Sequence, residues 1–168
     1  MGYYELAREA RLKVRKTDGE ERAMWTTRLQ DLGIRVGNAL VEMGDLEGAA
    51  RHLKTLQVSS GEEGEDTTKF ARLALLYLRI GDVDAAREYV EFTQNTEGQT
   101  TSSSVLRPLL SMAEGRYDSA VGQWKDLCDH SSEQESAMIT QNLAVCLLYT
   151  GRIDEVHVSL EMLTLFGL

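Results

Sequence analysis

Apolar residues recur at helical spacing along most of the chain, and glycine interrupts them at a regular interval. Four interruptions share one turn pattern, whose glycines are 37, 34 and 36 residues apart. These turn glycines are Gly44, Gly81, Gly115 and Gly151. Glycine ends a helix because it adopts the left-handed backbone conformation without steric cost. The pattern predicts four helix–turn–helix units, with Asp45 and Asp82 capping the helices that follow them.

Small and large residues recur at fixed distances from each turn glycine. Seven positions before it stand Gly37, Ala74, Pro108 and Ala144, and five positions after it stand Ala49, Ala86, Ala120 and Val156. Nine positions after it stand the larger Leu53, Val90, Trp124 and Leu160. Small side chains let antiparallel helices approach closely, and large ones fill the space between them. We interpret Gly33 and Gly37 in the same way, as helix contacts rather than a ligand loop.

The third unit departs from this pattern. Pro108 and Ser111 replace a small and a large apolar residue, so the first helix of that unit either kinks at Pro108 or starts there. Its apolar residues are Val105, Leu106, Leu109 and Leu110, and we expect their face to be rotated.

The repeated pattern resembles the tetratricopeptide repeat, a helix–turn–helix unit of 34 residues. The resemblance implies an all-α fold: a right-handed α-solenoid of about four repeats with an extra N-terminal helix. We expect a single domain over 1–168. Its parts are the N-terminal helix with the start of a long first repeat helix (1–28), then repeats at 29–61, 67–98, 101–133 and 137–168. Helices are expected over 3–16 and 20–43, and polar loops over 59–66 and 95–104.

Charge and composition exclude several classes of protein. The 168 residues include 18 basic and 27 acidic side chains, which gives a net charge of −9. This balance argues against nucleic-acid binding, which leaves a basic footprint. No run of 18 apolar residues is present, so we expect no membrane span. The lack of an apolar leader and the isolated Cys128 and Cys146 favour a reducing, cytoplasmic location with packed thiols.

The first predicted helix is a basic exception. It contains Arg8, Arg11, Lys13, Arg15 and Lys16, with Glu9 as the one acid among them. One interpretation is a solvated face whose cations pair internally with acidic groups. The other is an edge that meets an acidic partner or an anionic membrane surface.

Candidate catalytic chemistry is sparse. The three histidines are His52, His130 and His157, and none forms a close pair with another histidine or a cysteine that would suit a metal. We interpret them as surface side chains. The sequence contains no phosphate-binding loop, nucleophile elbow or dinucleotide motif. We therefore expect no enzyme activity, no cofactor and no metal site.

Function is expected in the groove lined by the first helix of each unit, because paired-helix solenoids usually bind partners there. The predicted groove residues are Ile34, Asn38, Leu75, Leu78, Val105, Leu109, Met112, Val145 and Leu148. Co-chaperone members of the repeat family grip terminal carboxylates in this groove with Lys, Asn and Arg. Only Asn38 and Arg72 match here, so we expect no carboxylate clamp. Either an apolar partner segment occupies the groove, or these residues pack within the solenoid.

Two segments carry a closer resemblance. Residues 77–89, YLRIGDVDAAREY, and 142–154, NLAVCLLYTGRID, resemble repeats of the subunit 12 family of the TRAPP tethering complex. The resemblance implies a non-catalytic scaffold, cytoplasmic and Golgi-associated, in a vesicle tether and Rab exchange factor of ER-to-Golgi transport and autophagy. Its partners would be other TRAPP subunits, which carry the exchange activity. The alternatives are a peptide-binding adaptor, similar to a co-chaperone without the clamp, and a regulatory domain attached to an enzyme.

The C-terminal end is expected to be a second contact surface. Val158, Met162, Leu165 and Phe166 fall on one side of the last predicted helix. Val156, Leu160 and Leu163 should face the partner helix instead. No polar capping helix follows them. We therefore expect further repeats in a longer protein, and self-association of this chain through that end.

Overall fold

The computed structural model describes residues 2–56, 66–94, 104–130 and 133–165; at 66, 94, 133–136 and 162–165 it describes the backbone alone. Over these ranges the fold is all-α, with nine helices and no strand. The helices are α1 (Tyr3–Lys16), α2 (Gly19–Glu42), α3 (Leu46–Lys54), α4 (Asp66–Ile80), α5 (Val83–Gln94), α6 (Leu106–Ala113), α7 (Tyr117–Cys128), α8 (Glu133–Tyr149) and α9 (Ile153–Leu165). The helices predicted over 3–16 and 20–43 are confirmed as α1 and α2. The predicted polar loops lie outside the described residues, apart from the last residue of each.

Each predicted turn ends a helix with glycine in the left-handed conformation. The φ angles of the four turn glycines lie between +72° and +88°. The next residue donates its N–H to a carbonyl five residues earlier, as Asp45 does to Leu40 at 2.9 Å. This bond satisfies a carbonyl that the ending helix leaves free. The predicted caps are confirmed: Asp45 accepts a hydrogen bond from the Gly48 N–H at 2.8 Å, and Asp82 accepts one from Ala85 at 3.3 Å.

The helices pack in sequential pairs. α2 packs with α3, α4 with α5, α6 with α7, and α8 with α9, while α1 packs on α2. The second helix of each pair also contacts the first helix of the next pair. The small residues predicted at the pair contacts are buried, and Ala49, Ala86 and Ala120 are fully so. The predicted helix contact at Gly37 is confirmed, because a Cβ atom there would lie 2.6 Å from Leu53 Cδ2.

Helix α6 joins two apolar clusters. Leu106 and Leu110 pack with residues of α2 to α5, whereas Val105, Leu109 and Met112 pack with residues of α7 to α9. The helix therefore has apolar contacts on two sides.

Pro108 lies in the first turn of α6, which is only eight residues long. Its missing N–H leaves no helical bond unmade there, so Pro108 marks the start of the helix rather than a kink. Ser111 is buried, and its hydroxyl donates a hydrogen bond to Gln123 Oε1 at 3.1 Å. That bond explains how a polar residue occupies a position where a large apolar one was expected.

Ion pairs connect successive helix pairs. They are Asp31–Arg72 (3.0 Å), Glu42–Arg79 (2.8 Å), Lys54–Asp82 (3.8 Å), Arg87–Glu114 (2.8 Å), Asp118–Arg152 (3.2 Å) and Lys125–Glu155 (2.6 Å). Most of these side chains are substantially exposed, so each pair contributes little to stability.

Glu114 is the exception, because its side chain is only 13% exposed. It accepts hydrogen bonds from Arg87 and also pairs with Arg116. Burial raises the pKa of its carboxyl, but the hydrogen bonds from the two arginines outweigh burial and leave the pKa below its ordinary value. The ionised form is thus the stabilised one.

Glu114→Gln should lower the free energy of unfolding by about 1–2 kcal/mol at neutral pH. The contribution of a carboxyl with a lowered folded-state pKa is complete above its unfolded pKa and disappears as pH falls through the folded value. Denaturant unfolding near neutral pH and at about pH 3 should therefore show a loss that shrinks in acid. The control Glu155→Gln removes an exposed pair and should cost less. An equal loss at both pH values would contradict this role for Glu114.

Gly37→Ala should destabilise the fold by about 1–3 kcal/mol, because the new methyl group meets the buried Leu53. The control Gly122→Ala lies on α7 with no atom within 4 Å of the added Cβ. It should stabilise the protein by up to about 1 kcal/mol through helix propensity alone. Chemical denaturation of both variants tests the helix contact, and a stabilising Gly37→Ala would disprove it.

Candidate functional site

The predicted groove residues lie on the first helix of each pair, apart from Val105 at the N-cap of α6, and their exposure is unequal. Leu75 on α4 is 36% exposed and Leu148 on α8 is 53% exposed, while Ile34 on α2 is buried at 4%. Asn38 is exposed. The remaining predicted residues are half-buried: Leu78, Val105, Leu109, Met112 and Val145. The accessible apolar surface is therefore concentrated at a few side chains.

Three of the predicted groove residues contact the second cluster. Val105 and Leu109 pack against it, and Met112 accepts a hydrogen bond at its sulfur from Trp124 Nε1 at 3.3 Å. This contact holds the half-buried Met112 against α7. Its place in a groove stays a prediction.

A cavity of about 770 Å³ lies between α2 and α4. It brings together three of the predicted groove residues, Ile34, Asn38 and Leu75. Its other lining residues are Tyr3, Arg35, Ala39, Glu42, Met43, Arg72, Leu76 and Arg79. We call this cavity the α2–α4 groove.

A second cavity, of about 860 Å³, adjoins it between α1, α2 and α4. Tyr3, Arg35 and Arg72 line both spaces, so they form the wall between them. The start of α1 thereby borders the α2–α4 groove.

The arginines of the α2–α4 groove are held by internal acceptors. Arg35 and Arg72 share the two oxygens of Asp31 at 2.8 and 3.0 Å. On the other side of Leu75, Arg79 donates to Asn38 at 3.1 Å and to Glu42 at 2.8 Å. Because α2 supplies the acceptors and α4 supplies Arg72 and Arg79, these bonds also fix the two helices against each other.

Arg35, Arg79 and Tyr3 were not among the predicted groove residues. Arg79 stands two residues before a turn glycine, and Arg35 stands one helical turn after Asp31. The acid–arginine spacing was a visible signal for Arg35. The cavity therefore holds Arg35 and Arg79 besides Asn38 and Arg72, the two residues named as candidates for a carboxylate clamp. The paired acids, rather than missing cations, now argue against a carboxylate clamp.

The C-terminal surface is described in part. Val158 is exposed, and the side chains of Met162, Leu163, Leu165 and Phe166 lie outside the described part of the chain. Leu160 is 50% exposed, so its predicted packing against α8 is wrong in large part. Among the described side chains of α9, Val156 and Ser159 are buried, and Ser159 donates to the Glu155 carbonyl at 3.0 Å.

The cysteines and histidines have structural contacts. Cys146 is buried and Cys128 half-buried, and burial raises the pKa of both thiols. His52, predicted at the surface, is half-buried, and its Nε2 lies 2.9 Å from the Gly33 carbonyl oxygen. A carbonyl only accepts, so Nε2 carries the proton. Among the described side chains, no three His, Cys, Asp or Glu residues are placed to hold a metal ion.

None of the helices in the described ranges is long and apolar enough to cross a bilayer. Comparisons with protein families, with curated proteins and with solved structures find no match to this chain.

A peptide ending in paired acidic residues should bind the α2–α4 groove of the wild-type chain no more tightly than about 1 mM, because the groove arginines Arg35, Arg72 and Arg79 are already paired. Asp31→Asn with Glu42→Gln releases those arginines and should raise the affinity about tenfold or more. The control Glu88→Gln with Glu91→Gln removes the same charge from exposed positions on α5 and should change it little. Micromolar binding by the wild type in calorimetry would contradict the internal pairing argument.

Proposed function

We propose that the helix pairs form a right-handed α-solenoid of four tetratricopeptide-type repeats, with α1 as an additional N-terminal helix. Two regularities support this arrangement. The four turn glycines share one conformation and one backbone hydrogen bond. The small residues at equal distances from them are buried in each helix pair.

On this fold we propose a non-catalytic scaffold that binds another protein in the α2–α4 groove. The observation that carries the proposal is Leu75, an exposed leucine at a cavity whose three arginines are each paired with Asp31 or Glu42. Such a site favours an apolar side chain over a charged one. Burial of one partner leucine there contributes about 1.5–3 kcal/mol.

We further propose that the chain belongs to a subunit of the TRAPP vesicle-tethering and Rab exchange-factor complex, cytoplasmic and Golgi-associated. The support is the resemblance of segments 77–89 and 142–154 to that family. The first segment contains Arg79, Asp82 and Arg87, which form ion pairs between successive helix pairs in this protein. In this proposal the scaffold holds other subunits during ER-to-Golgi transport and autophagy.

Leu75→Glu in the full-length protein should abolish capture of a groove partner without unfolding the chain. A glutamate at 75 stands three residues after Arg72 and four before Arg79, so it gains partners on its own helix. We expect co-purification of TRAPP subunits to fall at least tenfold. The free energy lost with one buried leucine contact corresponds to a change in affinity of at least that factor. A thermal melt should change by only a few degrees.

Leu46→Glu is the matched control, because Leu46 is a similarly exposed leucine outside the α2–α4 groove. It should leave co-purification intact. TRAPP subunits retained by both variants would contradict the groove as the contact surface. Chaperones or cargo captured in place of TRAPP subunits would favour the peptide-binding adaptor.

A further inference from the structure

The outer face of α1 carries three arginines in helical register. Tyr4, Arg8, Arg11, Leu12 and Arg15 are spaced by three, four and seven or eight residues, so they share one side of the helix. All five are exposed, Tyr4 to 80%, and together they line a shallow depression of about 170 Å³. We call these five residues the α1 outer face. Ala10, on the opposite side, is the residue that α1 buries.

The charge of α1 is opposite to that of the rest of the protein. The helix contains five basic and two acidic residues, a net charge of +3, within a chain of −9, so the other residues carry −12. The two acids, Glu5 and Glu9, lie on the neighbouring stripe of the helix and not among the three arginines.

The arginines of the α1 outer face have no ion pair or side-chain hydrogen bond within the described ranges. Seven arginines elsewhere in those ranges pair with acids, as Arg72 does with Asp31 and Arg87 with Glu114, whereas Arg22 and Arg107 do not. Lys13, on the opposite side of α1, and Arg28 on α2 instead lie 5.7 and 4.9 Å from the centroid of the Trp25 ring, at cation–π distance. Of the two interpretations of the basic stretch, internal neutralisation therefore does not apply to Arg8, Arg11 and Arg15.

We propose that the α1 outer face binds an anionic membrane surface. Each Lys or Arg held near an anionic lipid surface strengthens the attraction about fivefold, and the α1 outer face holds three arginines on one side of the helix. Tyr4 and Leu12 add apolar surface between the arginines, as suits the boundary between lipid headgroups and acyl chains. Two apolar side chains bury too little surface to hold α1 at a membrane by themselves. Binding therefore depends on attraction between the arginines and anionic lipid.

The acidic remainder of the chain does not prevent this contact. The Debye length at physiological ionic strength is about 8 Å, and the diameter of a helix with its side chains is about 10 Å. With its outer face on the membrane, α1 itself separates the acidic helix pairs from the lipid charges. The contact goes beyond the proposed scaffold function, because it uses none of the residues of the α2–α4 groove.

Vesicle flotation with the full chain tests the proposal. Wild-type protein should bind phosphatidylcholine vesicles that contain about one-third phosphatidylserine, should not bind pure phosphatidylcholine, and should dissociate at high salt. Arg8→Ala, Arg11→Ala and Arg15→Ala together should reduce partitioning about 100-fold, since each cation contributes about fivefold. Alanine favours helix, so circular dichroism should show α1 retained.

The matched control is Arg51→Ala, Lys54→Ala and Arg107→Ala, which removes the same charge from exposed positions on other helices. It should change partitioning by less than about threefold. Equal losses in the two triple variants, or equal binding to neutral vesicles, would overturn the proposal. So would wild-type protein that ignores the vesicles but binds polyglutamate or duplex DNA, since the partner would then be an acidic protein or a nucleic acid.

Discussion

The fold depends on close contact between paired helices at side chains of minimal size. Ala49, Ala86 and Ala120 are fully buried at equivalent points of successive second helices. On the first helices, Gly37 leaves space that Leu53 fills. A close approach of this kind fixes the distance between the two helices, because the packed interior has no room for larger groups. The left-handed conformation of the turn glycine then reverses the chain within a few residues.

Once the helix pairs are rigid, their relative placement is left to contacts at the pair boundaries. Exposed ion pairs add little free energy, yet they occur between successive helix pairs and restrict how one pair slides along the next. The same bonds pair the arginines beside Leu75, since Asp31 and Glu42 of α2 form ion pairs with Arg72 and Arg79 of α4. Alignment of the helix pairs and pairing of the groove arginines are therefore one physical feature.

Local regularities made much of the fold predictable. The turn glycines, the bounds of α1 and α2, the Asp45 cap and the buried small residues follow from signals within a few residues of one another. The site was less accessible to sequence reasoning. Arg79 donates hydrogen bonds to Glu42 and Asn38, which stand 37 and 41 residues earlier in the chain. No pattern in either segment specifies that pairing.

One difference on α9 lies at Leu160, which was predicted to face the partner helix and is half exposed. Among the described side chains of that helix, Val156 and Ser159 are the buried ones.

The two proposed contacts differ in the force that drives them, and the distribution of charge explains why they remain separate. In the α2–α4 groove every arginine has an acid within hydrogen-bonding distance, so an incoming group gains chiefly by burying apolar surface, which salt does not weaken. On the α1 outer face the arginines face solvent, so an incoming surface gains by bringing negative charge, an interaction that salt screens. An anionic partner would have to displace Asp31 or Glu42 to enter the groove, but displaces nothing on α1. In the two proposals, the internal acids therefore leave anionic surfaces to α1 and apolar segments to the groove.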